Sequence, residues 1–327
     1  MDTQPWLELS FRQSPVGGDT QEAHGDITAL GEALAGDPAL GVVFLVHGFN
    51  VTQAEGREAY RGMNLAQGAL APGRDNTPLA SGRQVVQVFW AGDLDAPELA
   101  RPAFYPFAIG RARETGRLFA AFLSSLGAHR PADQPLSVEF IGHSMGCRVI
   151  LETLKNLPVK DRLWIHRVLY LAAAVPTHKL ETGKQGDLRP TWLQWSQGEI
   201  PWHSLHSWDD LVLTYAFPLG QSLGGPGEGV LPTALGRNHC WIPLPYFQQT
   251  RIAHAGHSDY WGNQLQNPGG CSKEETQANK DAAWAINQYM GFTQGGPRES
   301  AARETAARAV MEAQSAGLER TTPQVDL

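Results

Sequence analysis

Three residue types spaced along this chain could carry out acyl transfer. The first is Ser144, at the apex of Gly142-His143-Ser144-Met145-Gly146. A serine hydroxyl is a weak nucleophile near neutral pH, so it needs a base within hydrogen-bond reach and a third group that fixes the base's tautomer. Where the serine stands on a sharp strand-to-helix turn, the partners follow in the order Ser, then Asp or Glu, then His. The pentapeptide by itself is a weak signal, since chance alone yields about 0.2 such matches in a chain of this composition. What strengthens it is the apolar run Leu136 to Ile141 before it and the apolar-periodic run Cys147 to Leu157 after it, read as strand and helix.

The acid is expected just past a later strand, where Asp209 and Asp210 both stand. Asp210 is preferred, because Asp210-Leu211-Val212 has the D-x-V form; the other aspartate would then cap the next helix. Three histidines follow Asp210: His239, His254 and His257. His239 directly precedes a strand candidate, the wrong end for this site. His257, after a glycine in Gly256-His257-Ser258-Asp259, is the expected base, with His254 the alternative. His254-x-x-His257 with Asp259 also has partial metal-ligand spacing, but spacing supplies no further ligand, so no metal is expected. The oxyanion formed on attack needs preorganised donors. These are expected to be the backbone N–H of Met145 and, from His47-Gly48-Phe49-Asn50, that of Phe49. His47 and Asn50 are candidates for contacting substrate, and His143 is read as a packing residue.

These residues need a scaffold. Gly41 to Val46 and Arg167 to Val175 are continuous apolar runs, as in strands buried on both faces of a parallel sheet, and Gln84 to Trp90 is a further strand. Thr52 with Glu55 three positions on is a capping box opening a helix through Tyr60, Leu65 and Leu70. Ala103 to Leu126 is a long amphipathic helix whose Arg111, Arg113 and Arg117 are read as a solvated face. Strand, helix, strand, helix, strand in the middle of the chain predicts parallel strands joined by right-handed crossovers. Residues around Trp6 to Phe11 are read as an edge strand and Ser14 to Gly25 as a loop. Ser204 to Ser207 and Cys240 to Leu244 are short late strands, and Lys273 to Met290 is a closing helix. Pro176 to Trp202 is polar, rich in glycine and tryptophan, and sits where a lid would be inserted. Its Trp192 and Trp195 are candidates for a substrate pocket, with Trp202 and Trp208 beside them. Gly220 to Gly229 is read as a flexible loop without the features of a phosphate cradle.

Composition sets limits. The 327 residues are 42% hydrophobic and 18% charged, with a net charge of −7, values of a globular chain that argue against a general nucleic-acid surface. The three cysteines, Cys147, Cys240 and Cys271, are an odd number without metal spacing and are read as reduced. Met1 to Ser10 lacks the charge and apolar run of a signal peptide, and no window reaches the ~18 apolar residues of a membrane span. A cytoplasmic protein is expected, although signal-independent export would leave no mark. One domain over residues 1–295, with an insertion at about 176–203, and an Ala-rich tail over 296–327 are the expected organisation.

Together, His47-Gly48-Phe49-Asn50, the Gly-His-Ser-Met-Gly elbow, an Asp after a later strand and a Gly-His before the last helix resemble the α/β-hydrolase superfamily. Within it the chain looks like a bacterial branch of serine hydrolases sharing that loop and elbow. The resemblance implies an eight-stranded, mostly parallel sheet with helices on both faces, a Ser-His-Asp triad and no cofactor. A carboxylic ester with an apolar acyl or aromatic part is the expected small-molecule substrate. Another acyl transfer (amidase, thioesterase or acyltransferase), or a non-catalytic binding protein on the same fold, are the alternatives.

Overall fold

The computed structural model describes residues 6–14, 17–37, 39–70, 82–93, 104–131, 134–158, 162–180, 202–224, 227–239, 247–261 and 272–292. Trp192, Trp195, Cys240 to Leu244, Cys271, most of the expected insertion and the 296–327 tail lie outside them.

Eight strands form one sheet: β1 Leu7–Ser14, β2 Gly17–Gly25, β3 Gly41–Val46, β4 Arg83–Phe89, β5 Leu136–His143, β6 Leu163–Leu171, β7 Trp202–His206 and β8 Phe247–Arg251. Their spatial order is β2-β1-β4-β3-β5-β6-β7-β8. β2 runs antiparallel to β1, and every other pairing is parallel. This is the α/β-hydrolase fold implied above. Every residue of β3 is buried, as a strand covered by helices on both faces requires.

The helices are α1 Ile27–Gly36, α2 Gln53–Leu70, α3 Tyr105–Ala128, α4 Gly146–Asn156, α5 Phe217–Ser222 and α6 Lys273–Met290. α3 packs on α4, and α2 packs on α6. The latter contact is sealed by Gln67, which donates to the Ala283 carbonyl and accepts from Asn287. The capping box at α2 forms: the Thr52 N–H donates to Glu55 at 2.8 Å, and the Glu55 N–H to the Thr52 hydroxyl. Under α3, Phe119 meets Phe11, Phe44 and Phe140 with ring centroids 5.0–5.9 Å apart. These aromatics tie β1 to the sheet's centre; β1 lies between β2 and β4 and is not the edge strand expected around Trp6 to Phe11.

Some expectations are corrected. Ser14 to Gly25 is largely strand rather than loop: its polar residues suit an edge strand with little apolar demand. β6 begins at Leu163, four residues before the expected start, because the polar Arg167 and His166 face a buried carboxylate rather than solvent. Trp202 opens β7 and is buried against Tyr170, so it belongs to the core and not to an insertion. Phe247–Arg251, the last strand among the described residues, was not expected, because its Phe-Gln-Gln-Thr-Arg sequence lacks the usual apolar run. Arg111 and Arg113 are not a solvated row: Arg111 donates to the Ala91 and Asp93 carbonyls, and Arg113 pairs with Glu228. Arg117 does face outwards, pairing with Glu114 on the same helix.

Candidate active site

The chain leaves β3 towards β4 on one side and returns to β5 on the other, so the ends of β3 and β5 flank a topological switch. Crevices of this kind hold ligands in open α/β sheets. Both turns there are tight. A Cβ added at Gly146 would lie 2.3 Å from the Val46 carbonyl oxygen, and one at Gly48 only 3.0 Å from the Ser144 Cβ. Glycine at these positions therefore lets the His47–Asn50 loop touch the elbow.

Ser144 adopts φ +52°, a left-handed conformation costly for a residue with a Cβ. Its neighbours hold it there. The Ser144 N–H donates to the Leu171 carbonyl at 2.9 Å, and the Ser144 carbonyl accepts from Ala174 at 3.0 Å and Cys147 at 3.2 Å. The side chain is thereby turned off the end of the sheet.

Two loops from later strands meet it. His257 Nε2 lies 2.9 Å from Ser144 Oγ, and His257 Nδ1 lies 2.7 Å from Asp210 Oδ2. With Nδ1–H donating to the fully buried carboxylate, Nε2 is left to accept from the serine hydroxyl. The other oxygen, Asp210 Oδ1, accepts the Leu213 N–H at 2.9 Å and so caps the next turn. Asp210 does both jobs, and capping does not fall to Asp209 as expected. Instead Asp209 Oδ2 accepts the His254 N–H at 3.0 Å, anchoring the loop that carries His257. His254 itself faces Asp209, 3.8 Å away, so the two histidines of His254-x-x-His257 engage different partners. Among the described residues no group of three or more His, Cys, Asp or Glu side chains is gathered to hold a metal.

The support beneath His257 was only partly legible. His143 donates from Nε2 to the His257 carbonyl at 2.7 Å and packs against Trp261. Burial, with the nearby His257 charge, lowers its pKa to about 3, so it stays neutral and holds the loop without titrating. Its packing role is accompanied by this tether, which no spacing rule signals.

The His47 reading is corrected. Its ring is fully buried and stacks on Trp90. Nδ1 faces the Gly48 carbonyl at 2.9 Å, and Nε2 accepts from the Trp90 N–H at 3.3 Å. Burial and the Arg12 charge push its pKa down to about 3. It shapes the loop and presents no face to a ligand. Asn50, at φ +60° and half-buried, donates its N–H to the Gly92 carbonyl. Phe49 packs edge-on against Tyr105, 5.6 Å between centroids.

No family model and no curated protein matches this chain. Among solved structures it is similar to a poly(3-hydroxybutyrate) depolymerase from Bordetella parapertussis, at 17% identity over 75% of this chain and 84% of that one, with TM-score 0.40. A dienelactone hydrolase from Anabaena variabilis is similar at 15% identity, over 77% and 87% of the two chains, with TM-score 0.34. A carboxyl esterase from Tuber melanosporum is similar at 14%, over 77% and 80%, with TM-score 0.36. Likeness at this level does not extend to chemistry.

Proposed function

We propose that this chain is a serine hydrolase that cleaves carboxylic esters through an acyl-enzyme formed on Ser144. The observation that carries this reading is the unbroken hydrogen-bond chain from Ser144 Oγ through His257 to the buried Asp210. As Oγ attacks the ester carbonyl carbon, its proton passes to His257 Nε2, and Asp210 stabilises the resulting imidazolium. The developing oxyanion is received by the N–H groups of Phe49 and Met145. Support for this pair comes from the contact between Gly48 and Ser144, which sets the loop beside the nucleophile. His257 then returns the proton to the departing alkoxide. In the second half it draws a proton from water, whose oxygen attacks the acyl carbon and frees Ser144 and the acid.

An apolar substrate part is favoured by the segment that follows Asp210. Leu211, Tyr215, Leu219 and Leu223 recur every four residues and are 64–71% exposed. Glu228 is the sole charged residue between Asp210 and Arg237, so this outward face is uncharged.

The test is labelling by a fluorophosphonate probe together with hydrolysis of p-nitrophenyl esters of increasing acyl length. Wild type should label and turn over, preferring longer acyl chains; Ser144→Ala should lose labelling and about 10⁴–10⁶ of kcat. A wild type that neither labels nor hydrolyses any ester overturns the reading. Turnover that yields mainly transfer to added alcohol would identify an acyltransferase instead.

A further inference from the structure

A second cluster of charges lies away from Ser144, between α3, α4 and the segment after α5. At its centre is Glu228, fully buried in a glycine-rich stretch. Arg148 clamps it with two hydrogen bonds of 2.9 Å, Lys179 approaches to 3.3 Å, and Arg113 and Gln221 also donate to it. A carboxylate offers about four lone-pair sites, so Glu228 is saturated. Its cations are not. Arg148 spends one further N–H on Glu152 at 2.7 Å, and each guanidinium has five to give. Among the described residues, the only close ion pair of Arg113 and of Lys179 is with Glu228, although Glu152 also attracts Lys179 from farther off.

Arg113, Arg148 and Lys179 line an open pocket of about 680 Å³, together with Arg117, Lys155, Glu114 and Glu152. Arg117 is matched by Glu114; among the described residues Lys155 has no ion-pair partner. Five cations thus meet three carboxylates, Glu114, Glu152 and Glu228, on the surface of a chain whose net charge is −7. Local excess positive charge, surplus N–H donors and a concave wall are what an oxyanion requires.

We propose that this pocket is a binding site for a small multivalent oxyanion, a phosphate or a carboxylate, separate from the Ser144 site. Charge is consistent with this. Burial first, then the charge of Arg148, lowers the pKa of Lys179 despite Glu228; an added anion would relieve that repulsion. Glu228 fixes the guanidinium of Arg148 in place, so the ligand meets donors already oriented and loses little side-chain entropy in binding them.

Inorganic phosphate and succinate, each titrated against chloride at matched ionic strength, would be followed by the melting temperature of wild type, Ser144→Ala and the double variant Arg113→Gln/Lys155→Gln. Both substituted residues of the double variant reach solvent, so it should fold. Wild type and Ser144→Ala should show the same saturable rise with at least one anion, and which anion does so tells phosphate from carboxylate recognition. Half-saturation in the double variant should move up by at least about tenfold. A rise that does not saturate, or is equal in the double variant, is general salt exclusion and overturns the site. A response lost in Ser144→Ala puts the anion at the serine and overturns it equally. Neither result depends on ester hydrolysis.

Discussion

The two ends of the parallel strands do different work. At the carboxyl ends, non-glycine residues sit in left-handed conformations: Asn50 after β3, Ser144 after β5, Ala172 after β6 and His254 after β8, with φ of 45–60°. Nearer the amino ends, β4, β5 and β6 are joined sideways by ions. Glu139 accepts from Arg83 at 2.6 Å and Arg167 at 2.9 Å, and Arg83 also donates to the Met290 carbonyl and lies against Phe292. Burial pushes the Glu139 carboxyl up, but Arg83 and Arg167 outweigh it and hold the group below its usual range. One end stores strain around the candidate site. The other end buries one carboxylate between two arginines, one of which also donates to a backbone carbonyl. Strain at the carboxyl ends persists because the sheet over-determines those turns.

Substitutions at each end can break this division. The largest effect is expected at the carboxyl end. Asp210→Asn should depress kcat by about 10⁴, since it removes the group that fixes the tautomer of His257, while Asp209→Asn, which only weakens a loop anchor, should cost less than about tenfold. Equal losses measured in the two variants would remove the distinction between the adjacent aspartates. Next comes Glu139→Gln, which leaves Arg83 and Arg167 buried without their counter-charge. Unfolding in denaturant should show a loss of about 3–5 kcal/mol, with kcat of the residual folded enzyme unchanged; a kcat that falls with stability would mean the two ends are coupled.

The smallest effect per group concerns acid. His47 and His143 near the candidate site have pKa values lowered to about 3, and His166, His203 and His206 to about 4, burial being the first cause in each. The unfolded chain binds these protons from pH ~6.5 downward while the folded chain refuses them, so stability is full above that pH and falls as pH drops towards 4. Each histidine contributes up to about 1.4 kcal/mol per pH unit in that window. Melting temperatures between pH 7 and 5 should decline, and His166→Gln should shallow the slope. An unchanged slope would show that His166 titrates freely in the folded state.

Much of the central sheet was written in local pattern. The runs at Gly41 to Val46 and Leu136 to Ile141, the box Thr52/Glu55 and the Gly-x-Ser-x-Gly turn each encode their own backbone through burial periodicity, capping or glycine geometry. Lys273–Met290 matched its expected bounds for the same reason. Where strands were polar, the pattern failed: Gly17–Gly25 and Phe247–Arg251 are strands because neighbouring chain offers them partners, which no residue-level preference announces.

The candidate site divides the same way. Residue types and chain order pointed to Ser144, to Asp210 or Asp209 and to His257 or His254, with Asp210 and His257 preferred, because a serine nucleophile would need an acid and a base following it in that order. Only the folded chain brings His257 within 2.9 Å of Ser144, gives Asp209 a loop to anchor, and buries His47 so that it shapes a turn rather than meeting a ligand. It alone gathers Arg113, Arg148 and Lys179, distant in sequence, around Glu228. Local sequence determines backbone conformation through short-range sterics and hydrogen bonds, whereas charge balance and burial are sums over residues that meet only after folding.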